Sequence, residues 1–196
     1  MPITYDQIAP SYDRKIRPLE RWFLDRLRRE AFALLPATGR ILELGAGTGL
    51  NFIHYRSDAH GVATEPNKAM IDIARVKERP GGVTLVQNCA EELPFARASF
   101  DAAIVTLVFC SVRSPAEAFE ELRRVIRRGG TVVLLEHVRP DGVLGPVFDL
   151  LSAFTVPLSN DHFNRRTADA ARTAGLQVID VRKFGLGIIN LISCRV

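Results

Sequence analysis

Two acidic side chains and a glycine-rich turn carry the chemistry that this sequence offers. Residues 41–44 read Ile-Leu-Glu-Leu, and Gly45, Ala46, Gly47, Thr48 and Gly49 follow directly. An apolar strand that runs into such a turn and opens a helix lets backbone approach a ligand closely, because glycine lacks Cβ, at the strand end where doubly wound sheets bind nucleotides. The turn is shorter than the G-x-G-x-x-G of dinucleotide folds, since Leu50 stands three positions beyond Gly47. A carboxylate at Glu43 would repel a pyrophosphate but suits a cationic amino-acid ligand, so the segment fits S-adenosylmethionine better than NAD. A second acid, Glu65, precedes Pro66 and Asn67. It ends the next apolar run about 20 residues on, the spacing at which an acid meets the two ribose hydroxyls.

The elements that must position these groups follow from periodicity. Strands are expected over 40–44, 61–64, 83–87, 102–107 and 131–136, and helices over 50–56, 67–78 and 115–128. Such a βαβ series predicts an α/β fold, a doubly wound parallel sheet between helices. Ser114, Pro115 and Glu117 supply an N-cap, an N1 proline and a capping-box acid, and Gly129-Gly130 is expected to close that helix. Residues 143–158 are apolar and broken by Gly145, Pro146 and Pro157; they suit an inner lid, a receiver of acyl chains, or core. A helix over 167–174 and strands over 176–181 and 187–196 complete the chain, the last two suggesting an antiparallel hairpin on a sheet edge. Ahead of the sheet, Leu19, Phe23, Leu27, Ala31 and Leu34 or Leu35 recur every three or four residues, predicting a helix over 19–35 with Pro18 in its first turn and Pro36 at its end. The division expected is an amphipathic N-terminal lid over 1–36 and a ligand-binding domain over 37–196.

Composition narrows the class. With 196 residues, 47% apolar and 24% charged, one globular domain is expected, and disordered or fibrous classes drop out. The net charge of +4 is too mild for a nucleic-acid binder. Charge is concentrated near the start: Arg14, Lys15, Arg17, Arg21, Arg26, Arg28 and Arg29 face only Glu20 and Asp25 there. Cys89, Cys110 and Cys194 form no close-spaced pair, so neither a disulfide framework nor a metal site is expected, and a reducing compartment is. No apolar run reaches the length of a membrane span and no secretion signal opens the chain, so the location expected is cytoplasmic, with any membrane contact peripheral.

Over nearly its whole length the sequence resembles the class I S-adenosylmethionine-dependent methyltransferases. The motifs are ELGAGTG at 43–49, Ala-Glu-Glu-Leu-Pro-Phe at 90–95 followed by Ser-Phe-Asp at 99–101, and Arg-Arg-Val-Ile-Arg-Arg-Gly-Gly at 123–130 ahead of Leu-Glu-His-Val at 135–138. The resemblance implies a Rossmann-like seven-stranded sheet with a C-terminal hairpin and an N-terminal helical lid. It implies S-adenosylmethionine as cofactor, with S-adenosylhomocysteine as product. The residues implied to hold it are Glu43, Gly45, Ala46, Gly47, Gly49, Asn51, Glu65, Pro66, Ala90, Glu91, Thr106 and Leu107. Relatives commonly carry an aspartate ahead of the Ala-Glu pair to bind the adenine amino group, and this chain has Cys89 there. Within the class, residues 106–112, Asn51-Phe52 and the Glu136-His137 strand end look like bacterial phosphatidylethanolamine N-methyltransferases, related to quinone-biosynthesis C-methyltransferases, and like membrane-associated thiol methyltransferases of animals.

That narrower likeness implies N-methylation of phosphatidylethanolamine, and of its mono- and dimethyl forms, toward phosphatidylcholine. An ammonium acceptor must lose a proton first, so Tyr5, Tyr12, Glu136 and His137 are the candidates beside the methyl; the alternatives are that Tyr12 packs the first helix onto the sheet, that Glu136 is a strand-end acid bonded to a loop, and that His137 orients a neighbour by a hydrogen bond. Arg165 and Arg166, beside His162 and Asn164, are the candidate clamp for a lipid phosphate, or equally a solvated pair at a helix start. The basic amphipathic helix suits an anionic membrane surface at the inner face, or a simple cap over the cofactor. A monomer is expected, with no nucleic-acid partner and no metal. The alternatives are a soluble methyltransferase acting on a thiol or quinone precursor, and a catalytically silent binding module of the same fold.

Overall fold

The structure, a computed structural model, describes residues 5–159 and 162–196. Five parallel strands, β1 (Arg40–Leu44), β2 (His60–Thr64), β3 (Gly82–Val86), β4 (Phe100–Thr106) and β5 (Ile126–His137), share one sheet with the hairpin β6 (Gln177–Phe184) and β7 (Ile189–Arg195). The order is β3-β2-β1-β4-β5-β7-β6, with β7 antiparallel to both neighbours. The expected α/β sheet of seven strands with its C-terminal hairpin is therefore present. Gly185, Leu186 and Gly187 all take positive φ in the hairpin turn, which is why glycines separate those strands.

Alternation along the strands sorts side chains to two faces. Leu42, Leu44, Ala103, Val105, Val132 and Leu134 pack with Phe119, Leu122 and Val125 of α4 (Pro115–Val125) and with Ala171 of α6 (Thr167–Thr173). Ile41, Ile104, Val133 and Leu135 face the other way, under Leu27 and Ala31 of α2 (Asp25–Ala33). Both faces are covered, so the strands read as continuous apolar runs.

Three expected elements differ. The first helix is longer than its apolar stripe: α1 (Tyr5–Leu19), a π-helical turn over Glu20–Leu24 and α2 follow one another without a break. Pro18 thus lies inside a helix rather than in a first turn; its missing N–H and its ring disturb the regular ladder, and a π-turn follows at once. The helix expected over 50–56 is only a 3-10 turn, Phe52–His54, because Asn51 supplies no capping bond and its side chain is buried in other contacts. Ser114 does cap α4, accepting from the Glu117 N–H at 3.5 Å, but α4 stops at Val125. Ile126 is already extended and pairs with Phe100, so Gly129-Gly130 lies within β5 at an irregularity rather than closing the helix.

Around the site, α1 packs on α3 (Lys68–Arg75), whose first turn is capped by the Asn67 side chain accepting from Met70 N–H at 2.9 Å. The lid is latched through Asp13, which accepts from Thr48 Oγ1 at 2.5 Å and from Lys77 Nζ at 2.6 Å, and through Asp6, which accepts from Asn67 Nδ2 at 2.9 Å. The apolar stretch after β5 forms α5 (Gly145–Ser159), and it is not core: Val147, Leu150 and Phe154 are 57%, 61% and 65% exposed. No described helix is long and apolar enough to cross a membrane.

Candidate active site

A cavity of about 310 Å³ opens at the carboxyl ends of β1, β2 and β4, a usual size for a small-molecule site. One wall is the glycine turn. Gly45, Gly47 and Gly49 have φ of +72°, +56° and +83°, conformations that L side chains rarely adopt. At Gly45 a Cβ would sit 2.4 Å from Val108, whereas at Gly47 it would project into open space, so the bare backbone of Gly47 is free to meet a ligand.

Glu65 ends β2 at the cavity edge and is 8% exposed. Its carboxylate accepts from Gly47 N–H at 2.8 Å and Asn67 N–H at 2.9 Å, which fixes its plane against the turn. Burial raises its pKa above the usual carboxylate value, opposed by those two backbone bonds. A carboxylate has about four acceptor positions, so two remain for a ribose diol. Beyond it, Pro66, Asn88, Cys89, Ala90 and Glu91 line the cavity. Glu91 is held by Arg113 N–H at 2.9 Å and Ser114 N–H at 3.2 Å, which ties this segment to the start of α4. Asn88 Oδ1 is buried without a hydrogen-bond partner at this wall. An orphaned amide acceptor where the resemblance places adenine fits its exocyclic amine, and it answers for the aspartate that Cys89 replaces. Glycine backbone, carboxylate and amide together match the turn, ribose and adenine of S-adenosylmethionine. Asn88 carried no signal in the sequence beyond its place after a strand.

Glu43 is placed differently from expectation. It shares the face of Ile41, so it points under α2, is fully buried, and does not line the cavity. Its oxygens accept from Asn51 Nδ2 at 2.7 Å and Tyr55 Oη at 2.8 Å, and burial raises its pKa. Asn51 also bonds Thr106 Oγ1 at 2.8 Å, so Glu43 and Asn51 brace the turn and the end of β4 from behind. Gly49 likewise shapes the turn behind the wall, where a Cβ would strike Phe52 at 2.5 Å. Gly45, Ala46, Gly47, Glu65, Pro66, Ala90, Glu91, Thr106 and Leu107 do line it.

Tyr12 from the lid and Leu107, Val108 and Ser111 from the loop after β4 complete the cavity wall. Leu107 has φ +57°, a strained value that concentrates at functional sites. Tyr12 is therefore at the site, and burial pushes its phenol up to about 12, so it stays protonated. Tyr5 opens α1, and its side chain lies outside the described residues.

Glu136 and Arg165 are structural supports of that loop rather than a base and a clamp. Glu136 is fully buried, does not line the cavity, and accepts from Val108 N–H at 3.1 Å and Phe109 N–H at 3.2 Å. Burial raises its pKa to about 8. Arg165 donates to the carbonyls of Phe109 and Val112 in the same loop. His137 packs its ring against Phe148 and Phe163, at 5.8 and 4.5 Å between centroids, away from the cavity wall. The remaining clamp residues do not line the cavity: His162 donates its backbone N–H to Cys110 O, Asn164 bonds Asp149, which also feels Arg166, and Arg166 is exposed 4.0 Å from Asp169. Among the described residues no cluster of ligating side chains could hold a metal ion.

Residues 42–134 match the family model of a methyltransferase domain. The chain is 32% identical over 150 residues, 71% of its length, to a ubiquinone/menaquinone biosynthesis C-methyltransferase of Syntrophotalea carbinolica, and covers 62% of it. It is 30% identical over 141 residues, 67% of its length, to a human thiol S-methyltransferase, and covers 55% of that protein. The chain thus spans about three fifths of the length of these curated relatives. Among solved structures, a possible histamine N-methyltransferase from Thermotoga maritima is 25% identical with a TM-score of 0.67, covering 94% of this chain and 97% of that one. A putative methyltransferase of Haloferax volcanii, solved in complex with its Trm112 activator, shares the fold with a TM-score of 0.78. Matched segment, fold and relatives agree that this chain carries the class I S-adenosylmethionine-dependent methyltransferase domain, with S-adenosylmethionine as the expected cofactor.

Proposed function

We propose that the chain transfers a methyl group from S-adenosylmethionine to a small apolar acceptor, a thiol or the phenolic ring of a quinone precursor. The observation that carries this is the composition of the acceptor part: Leu107, Val108, Ser111 and a phenol held at about 12, with neither Glu136 nor His137 on the wall. A protonated amine would find no proton acceptor there, and a phenol with a similar pKa of about 10 would meet the same obstacle, whereas a thiolate needs none, so the thiol is the better supported of the two. When bound, the cofactor supplies an electrophilic methyl on a sulfonium. The acceptor's electron pair forms the new bond, the carbon–sulfur pair returns to sulfur, and the acceptor's proton leaves to water. The chain's own contribution is position and exclusion of water: the Gly45–Gly47 backbone and Glu65 fix the donor, and the 107–111 loop and Tyr12 enclose the acceptor. Two relatives of this chain, a quinone C-methyltransferase and a thiol S-methyltransferase by name, support this choice. Phosphatidylethanolamine has weaker support, because Arg165 is engaged by backbone carbonyls and Arg166 stands apart from the cavity.

The test is incubation with methyl-labelled donor and a panel of an aromatic thiol, a reduced naphthoquinone and phosphatidylethanolamine vesicles. Label on the thiol or the quinol ring is expected; label on the phospholipid alone overturns the reading.

We also propose that the apolar acceptor is taken from an anionic bilayer surface. Trp22 is 83% exposed, and Arg14, Lys15 and Arg21 are exposed beside it along the lid. Phe23 reaches the β6–β7 turn at Gly185, and the next residue, Leu186, is 83% exposed; Gly187 in turn lies next to Pro140, ahead of α5. Cations flanking such an apolar rim fit anionic head groups over acyl chains. Trp22 is the sole tryptophan, so its emission should shift to the blue with vesicles containing phosphatidylglycerol. An unchanged spectrum, or self-association without lipid, would contradict this.

A further inference from the structure

The cofactor has a part that the residues discussed so far do not serve: the carboxylate of its methionyl tail. The described cavity wall holds two cations, Arg113 beside Glu91 and Arg28 beside Thr106 and near Tyr12. Arg28 stands in α2, on the buried stripe with Leu24, Leu27 and Ala31, and is 5% exposed. A buried guanidinium must be paired and hydrogen-bonded. Two acceptors orient it: Nη1 donates to Asn51 Oδ1 at 2.7 Å and to Thr106 Oγ1 at 2.9 Å. Asn51 is in turn fixed by Glu43, so the braces behind the turn aim Arg28 at the cavity.

Its other edge holds a carboxylate. Glu20 accepts from Nη2 at 2.7 Å and from Nε at 3.1 Å, the bidentate fork that guanidinium makes with carboxylates. Eight residues of regular helix would separate the two by about 12 Å along the axis. The π-turn over Glu20–Leu24 lies between them, the kind of irregularity that recurs at functional sites.

We propose that Arg28 anchors the methionyl carboxylate of S-adenosylmethionine, and that Glu20 is an internal carboxylate competing for the same edge. This rests on the cofactor reading above. Cofactor binding then exchanges one carboxylate for another on a preformed cation, and releasing Glu20 frees the turn that joins the two lid helices. Lid position and donor occupancy are coupled through a single ion pair.

Calorimetric titration of the whole chain with S-adenosylhomocysteine, and with its analogue lacking the carboxylate, tests this without any turnover. The unaltered chain should prefer S-adenosylhomocysteine by about ten-fold or more, the worth of one buried charge-assisted fork. Arg28→Met should abolish that preference, binding both ligands equally weakly. Glu20→Gln should tighten S-adenosylhomocysteine several-fold and leave the analogue unchanged. Equal affinity of the unaltered chain for the two ligands overturns the proposal, even if Arg28→Met fails to fold. So does a folded Arg28→Met that keeps the preference. Failure of the unaltered chain to bind either ligand is a different result, and it removes the cofactor reading itself.

Discussion

The donor and acceptor parts of the cavity wall are built on different principles. The donor part is local: Gly45, Gly47 and Glu65 lie at strand tips, and each fixes its neighbours through backbone bonds a few residues or one strand away. The acceptor part is assembled from afar. Its 107–112 loop is held by Glu136 through two amides and by Arg165 through two carbonyls, and Tyr12 joins it from a helix that precedes the sheet. A donor common to a large class can be met by a fixed short motif, whereas acceptor preference is set by long-range supports that vary without disturbing the sheet.

The contrast predicts separable failures. Gly47→Val should have the largest effect, forcing a β-branched residue to φ +56° and placing its side chain where the ligand approaches. Binding of S-adenosylhomocysteine should fall at least about a hundred-fold by calorimetry while the chain stays folded by circular dichroism, since two buried ligand contacts are lost. Glu136→Ala should act on the other part. Stranding the Val108 and Phe109 amides should cost about 2–4 kcal/mol in urea unfolding and abolish turnover. The surviving folded protein should still bind S-adenosylhomocysteine. Loss of donor binding in that variant would show that the two parts are not independent.

Arg165→Met and Arg166→Ser sharpen the comparison further. The first removes two carbonyl contacts from the loop and should lower both stability and turnover, and the second should change neither. A phosphate clamp would make both variants lose activity on a lipid substrate alone. A further effect is in pH. Unfolded, Glu136 releases its proton at the usual carboxylate pH near 4.5; folded, it holds the proton to about 8. The folded state binds the extra proton in between, so stability should decline as pH rises through that window and level off above it. Glu136→Gln, which has no proton to lose, should flatten that decline in a melting-temperature series.

Legibility follows the same division. The placement of Gly47 and Glu65 on the cavity wall was readable because it depends on a turn type and on chain spacing, both local. The face of Glu43 was also latent in the sequence: it is two residues from Ile41 in a strand, so it must share Ile41's side, away from the ligand. Arg28 carried a weaker sign, a cation on the stripe of Leu24, Leu27 and Ala31, where only a paired charge is tolerated. Glu136 and Arg165 could not be placed. A strand-end acid and a cation near a helix start have the same composition whether they face a ligand or a loop, and only the fold brings both to residues 108–112. The early end of α4 was hidden for a similar reason, because Ile126 is recruited into β5 by pairing with Phe100, a contact with no local trace.

The central claim is that the strand-tip turn, Glu65 and the segment after β3 form the donor site. Hydrogen exchange with and without S-adenosylhomocysteine tests it most directly. The account predicts slowed exchange at the amides of residues 45–50 and 88–91 on one-to-one binding, and little change at β6 and β7. Protection confined to other regions, or none at saturating ligand, would contradict it.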